Sequence, residues 1–211
     1  MALGTAQNVY LPVPEATLST LARQLTTVTG NEIGALAAAP AAGTVSLSVE
    51  RSGGYFRLTF ALTEARVSVT DGAGSGSHGT LKLFTFLPAA VSFLGARQDY
   101  TAFAEGAALT GAAGDAAFEI GVGTTAISAA ANGTLGNAVN EDVGQAVSVT
   151  LSGGTGAGTA VDGAKTTALN GTATAITLNL NWSGTAATID ASSTIDVTGT
   201  LTVAGVLLGD D

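Results

Sequence analysis

The chain has 211 residues, no cysteine and a formal net charge of −9, with only 7 Lys and Arg in all. So few cations cannot build a basic patch, which excludes nucleic acid and anionic membrane surfaces as expected partners. The lack of Cys excludes disulfides, thiolate zinc sites and cysteine nucleophiles.

Charged residues make up 11%, against roughly 25% in ordinary domains. With 29 Gly and abundant Thr, this points to a surface that is covered in an assembly rather than to a free enzyme. The first residues show no cationic stretch followed by an apolar run, and no segment is apolar enough to span a bilayer. The expectation is a protein made in the cytoplasm that stays there or leaves inside a particle.

Residues 1–43 read as an N-terminal arm followed by a short helix. Pro12 and Pro14 lock φ and remove donors, so residues 1–16 are expected to be extended. Leu18, Leu21, Leu25 and Val28 recur at helical spacing, with Thr17 as cap and Gly30 as stop.

Residues 44–211 read as one β-sandwich or jelly-roll domain. Val45, Leu47 and Val49 alternate with Ser and Thr, and Gly53-Gly54 turns the chain into Phe56, Leu58, Phe60 and Leu62. A second turn is expected near Thr63-Glu64, ahead of Val67 and Val69. Asp71 to Gly79 reads as a loop. Thr80 to Leu87 reads as a strand apolar on both faces, placed between sheets or at a subunit contact. Ala90 to Leu94 follows as a further strand, and Gly95 to Gly114 has no clear period. Alternation returns at Phe118–Val122, Val147–Leu151, Ile176–Trp182 and Ile195–Val203. The sum is about eight to ten strands in an all-β sandwich or jelly roll.

No residues are put forward as catalytic, cofactor-binding or metal-binding, and no cofactor is expected. His78, the single histidine, lies among glycines that would hold a catalytic base poorly. Asn140-Glu141-Asp142 is the densest acidic stretch, with Asp99, Asp115 and Asp162 elsewhere, but the regular calcium-loop spacing is missing. Solvated loop charge is the reading for these, with a surface calcium as the alternative. The run Gly72–Gly79 lacks the Gly-Lys-Ser/Thr of a phosphate loop. Sequons at Asn132, Asn170 and Asn181 are expected by chance in so Thr-rich a chain. Phe56, Phe60, Phe84, Phe86 and Phe93 read as core, and Trp182 as core or edge packing, with an interface as the alternative.

In the C-terminal half, several segments together resemble phage virion proteins of the jelly-roll head-decoration (cement) kind. They are Val161-Asp162-Gly163, Gly171–Ala175, Leu178-Asn179-Leu180-Asn181, Val197–Val203 and the closing Leu208-Gly209-Asp210-Asp211, joined by the earlier Gly79–Phe84. The resemblance spans about the last two-thirds of the chain and carries no catalytic residue. It implies a non-enzymatic homotrimer on the capsid exterior that bridges subunits of the major capsid protein against genome pressure. An extended arm could add backbone hydrogen bonds to a neighbour. The rival readings are a tail tube, fibre or baseplate component, and a carbohydrate-binding or adhesin-type sandwich. A β-sandwich hydrolase is the weakest of them.

Overall fold

The computed structural model describes residues 33–72, 76–105, 115–129, 135, 140–152, 155–163, 169–170, 175–184 and 193–208. All regular structure among them is β. The strands are β1 (Gly34–Leu36), β2 (Thr44–Ser52), β3 (Tyr55–Asp71), β4 (Ser77–Phe86), β5 (Ala90–Glu105), β6 (Asp115–Gly123), β7 (Gly144–Ser152), β8 (Thr155–Gly163), β9 (Leu169–Asn170), β10 (Thr177–Gly184) and β11 (Ser193–Leu208). The helix expected over residues 18–28 lies outside the described residues. Ile33 is buried in the core, and β1 pairs with the end of β4.

The pairing order is β1-β4-β10-β6-β7-β8-β5-β11-β3-β2, and a further β3–β4 pairing closes eight of these strands into a ring. The ring is flattened into two faces. Sheet A runs β2-β3-β11-β5-β8 and sheet B runs β1-β4-β10-β6-β7. Two corners join them. At one, Val69–Asp71 pairs with Ser77–Gly79; at the other, Ser152 pairs with Thr155. Without β1, β2 and β9, the sheets read β3-β11-β5-β8 and β4-β10-β6-β7. This is the strand order of a jelly roll, in which every pairing here is antiparallel. The all-β sandwich expected from sequence is therefore present.

Inward residues from both sheets meet in one core. Phe56 and Phe60 of sheet A pack on Phe86 and Phe84 of sheet B, with ring centroids 5.4 and 6.4 Å apart. Farther along, Phe103 meets Phe118 at 5.2 Å, and Phe118 meets Trp182 at 5.4 Å. Each such side chain contributes about 1.5–3 kcal/mol by leaving water.

Some strands are longer than alternation suggested, because a bulge stands where a turn was expected. Thr63-Glu64 does not reverse the chain. Glu64 takes a positive φ of 49° inside β3, and its N–H donates to Thr198 Oγ1 at 3.0 Å. The opposing β11 shifts register between Val197 and Gly199. A bulge adds twist and bends the strand without ending it. In the same way, Gly95 falls within β5, where register shifts beside Gly95 and again near Thr101 hide the period. Strand β4 starts at Ser77, so His78 and Gly79 are strand residues and not loop. Its apolar run has a local cause. Leu178 faces Phe84 and Asn179 faces Lys82, so Leu83 is the extra, bulged residue, and both Leu83 and Phe84 are buried.

Candidate interaction face

Sheet A turns a broad outer face to solvent. Because side chains alternate, the inward Phe56, Leu58, Phe60 and Leu62 leave Arg57, Thr59 and Ala61 outside. Register then sets out two outward rows, Ser48–Thr59–Thr202–Arg97 and Ser46–Ala61–Thr200–Asp99. The rows are short, uncharged side chains on three strands, with charge at the margin. Arg57 pairs with Glu50 at 3.2 Å and Arg97 with Asp99 at 3.4 Å, both exposed. Exposed pairs of this kind contribute little to stability.

A shallow open groove of ≈ 440 Å³ crosses this face, lined by Arg57, Leu94, Gly95, Ala96, Arg97, Thr202 and Ala204. The bulge in β5 makes it. Ala204 faces Gly95 while Gly205 faces Phe93, so Leu94 is pushed outward and stands 46% exposed beside a residue with no side chain. Two guanidinium groups flank the groove, in a chain with only 7 Lys and Arg. Toward the corner with sheet B, Arg66 and Asp196 form a two-pronged ion pair, Nε to Oδ1 and Nη2 to Oδ2, both 2.7 Å. Asp196 raises the Arg66 guanidinium further above its ordinary value, so Arg66 keeps its charge at any physiological pH.

The outer face of sheet B is covered around Asn181, while Lys82 and Ser148 on it stay exposed. Asn181 points away from the core yet is fully buried, beneath the segment that joins β6 to β7. Its Nδ2 donates to Thr125 O at 2.9 Å and to Asn140 O at 2.8 Å. Its Oδ1 accepts from Thr80 Oγ1 at 2.8 Å and from Ile127 N at 3.1 Å. Every hydrogen-bonding position of the amide is used. Asn140 Nδ2 donates to Thr125 O, and Asn179 Nδ2 to Thr177 Oγ1, both at 2.9 Å.

The acidic stretch belongs to the same clip. Asp142 accepts from Thr124 N and from Thr124 Oγ1, each at 2.7 Å, and Glu141 accepts from Ala146 N at 2.8 Å. These carboxylates hold backbone, and among the described residues no cluster of three or more metal-ligating side chains is present. Asp99 is the partner of Arg97. Asp115 and Asp162 lie on β6 and β8. Of the sequons, Asn181 is sealed within the clip, Asn170 lies on β9, and Asn132 is outside the described residues.

His78, Ser183 and Glu119 stand side by side across β4, β10 and β6. These are the residue types of a hydrolase relay, but they are not linked as one. Among the described residues His78 Nδ1 and Ser183 Oγ have no hydrogen-bond partner, Ser183 is fully buried, and Glu119 instead accepts from Leu135 N at 2.7 Å. Of the core, edge or interface positions open to Trp182, the structure shows the core, where it is fully buried, and among the described residues its Nε1 has no hydrogen-bond partner.

Sequence reasoning missed the clip and the groove. The clip has a legible signal: two Asn at alternate positions of an otherwise apolar strand, Leu178-Asn179-Leu180-Asn181-Trp182, require buried partners on the outer face. The groove has none, because a bulge creates it. No family model, curated protein or solved structure matches the chain.

Proposed function

We propose that the chain is a non-enzymatic structural protein of a phage virion, which binds the outer capsid surface and stabilises the head by bridging subunits of the major capsid protein. The observation that supports this most is the outer face of sheet A. Its rows of Ser, Thr and Ala lose little side-chain entropy when covered. Its charges are already paired, so a flat protein partner can seat there without stranding an ion. A jelly roll by itself carries no function, since capsid proteins, lectins and cupins share it. The weakly charged composition and the resemblance in the C-terminal half add to the reading. A homotrimer at three-fold positions of the capsid is part of the proposal.

Light scattering on a sizing column, followed by cosedimentation with phage heads lacking their decoration protein, tests it. A discrete trimer that sediments with heads, and that raises their resistance to heat, is the expected result. A hexameric ring or open polymer would move the protein to the tail. Binding on a glycan array without binding to heads would favour the carbohydrate-binding reading, for which the open groove beside Arg57 and Arg97 is the site to mutate.

A further inference from the structure

Among the described residues, β2 pairs on one side only, with β3. Its other edge is nine residues long and regular, and it carries no Pro, no Lys and no bulge. Such an edge is a template for another strand, and native proteins usually guard or cover it.

The register shows which groups line that edge. Leu207 N donates to Gly54 O at 2.8 Å, so Leu207 and Gly54 form a hydrogen-bonded pair of the antiparallel β11–β3 ladder. Counting along the register from there, Phe56, Leu58 and Phe60 direct their backbone groups to β11, and Arg57, Thr59 and Ala61 direct theirs to β2. The partners of the latter are Glu50, Ser48 and Ser46. The backbone groups of Val45, Leu47, Val49 and Arg51 therefore point to the open edge. Val45, Leu47 and Val49 turn their side chains toward the core, where they are only half-buried.

We propose that the occupant of this edge is the β2 of a second copy, paired antiparallel about a two-fold axis through Ser48, so that two A sheets become one. Ser48 is the middle residue of Thr44–Ser52, so this register overlaps the whole strand and leaves no residue over. It sets Leu47 opposite Val49 of the second copy, and Val45 opposite Arg51. These pairs exchange backbone hydrogen bonds, because their groups face the edge. Inward, the two half-buried stripes cover each other. Outward, Ser46 meets Glu50 of the second copy and Ser48 meets its own counterpart. No like charges stand opposite one another. The strand's one Glu and one Arg also cancel, in a chain whose net charge is −9. The β2 edge is thus a place where two acidic chains can touch without repulsion. A register centred on Leu47 overlaps only residues 44–50 and leaves the backbone groups of Arg51 outside the ladder.

The contact is small. A strip about 31 Å long and about 10 Å wide buries on the order of 600 Å² over both copies, well short of the roughly 1,600 Å² of a standard interface. Its dissociation constant is therefore on the order of 1 mM, and it forms where copies are crowded side by side. Being two-fold, it is separate from the three-fold contacts of the proposed trimer, and in dilute solution it leaves the mass of that trimer unchanged. On a capsid it would tie together copies from neighbouring trimers. The pairing itself does not rest on the virion role.

The test is disulfide trapping, in a chain that has no Cys of its own. Residues opposite each other in a non-hydrogen-bonded antiparallel pair have Cα atoms about 4.5 Å apart, within reach of a disulfide. At about 1 mM protein, Ser48→Cys should oxidise to a covalent dimer at least about 10-fold faster than Ser46→Cys, whose counterpart in the second copy lies about 14 Å along the strand. Ser46→Cys mixed with Glu50→Cys should cross-link as Ser48→Cys does alone. All three positions are exposed on the same side of the strand, so thiol access does not separate them. In the unmodified chain, the amides of Val45, Leu47 and Val49 should exchange freely at about 10 µM and slow about twofold at about 1 mM. Equal cross-linking of Ser46→Cys and Ser48→Cys would overturn the inference, since it would report collision and not register. So would slow exchange at both concentrations, which would mean that the edge is covered within one chain. Neither readout uses heads, so a failure to cosediment with them bears on the virion role alone.

Discussion

Asn181 fixes the covering of sheet B, and its replacement by Ala is the sharpest test of the clip. Four hydrogen bonds disappear, two donated to Thr125 O and Asn140 O and two accepted from Thr80 Oγ1 and Ile127 N. Neutral bonds contribute about 1 kcal/mol each, and a buried group left unpaired costs about 1–3 kcal/mol. Thr125 O keeps Asn140 Nδ2, and Ile127 N keeps Thr80 Oγ1, so Asn140 O is the main orphan. The expected loss is about 4 kcal/mol, or roughly 8–16 °C in Tm for a chain of this length. Urea unfolding followed by the fluorescence of Trp182, the only Trp, gives the free energy, and hydrogen exchange at Ile127 reports the clip directly. Asn181→Asp sharpens the test. It sets a carboxylate against two carbonyl oxygens, so its folded pKa lies above the unfolded value, about 3.9. Its deficit relative to the parent should therefore be smallest below about pH 4 and grow as pH rises through the folded pKa. A loss below about 1 kcal/mol for Asn181→Ala, with Ile127 exchange unchanged, would refute the clip.

Gly199→Val should destabilise by about 2–4 kcal/mol in urea unfolding, because a Cβ there meets the backbone of Asp99 and Tyr100 across the β11–β5 bulge. Trp182→Ala should cost about 3–5 kcal/mol, and Trp182→Phe much less, since Phe keeps the packing on Phe118 and the lost Nε1–H has no partner among the described residues. Ala61→Glu, at an exposed position on the outer face of sheet A, should abolish cosedimentation with heads and leave Tm within about 2 °C, because exposed surface changes are usually worth less than about 0.5 kcal/mol. Retained binding by that variant would remove the face from the proposed contact.

The period-two pattern was enough to read an all-β sandwich, because one buried face forces alternation wherever a strand runs without interruption. Val45–Val49, Phe56–Leu62, Leu178–Trp182 and Ile195–Val203 all lie in strands as their spacing implied, and Ile176 stands just ahead of β10. Alternation fails at a bulge, since one extra residue reverses the phase. For that reason Thr63-Glu64 resembles a turn, Gly95 onward has no clear period, and Leu83-Phe84 seems apolar on both faces. His78 was misplaced for a related cause, because small residues read as loop also form the β3–β4 corner, where Gly79 packs against the backbone of Ser68.

By itself the sequence determined the fold class, the core phenylalanines, the shortage of basic residues and the lack of a thiol. These depend on residue type and on neighbours one or two positions away. Only the tertiary structure decided the jelly-roll order, the buried state of Asn181, the use of Asp142 and Glu141 as backbone anchors, and the groove beside Arg57 and Arg97. Each of these rests on pairings between residues far apart in the chain, such as Arg57 with β11 and Asn181 with Thr80, whose register no local period encodes.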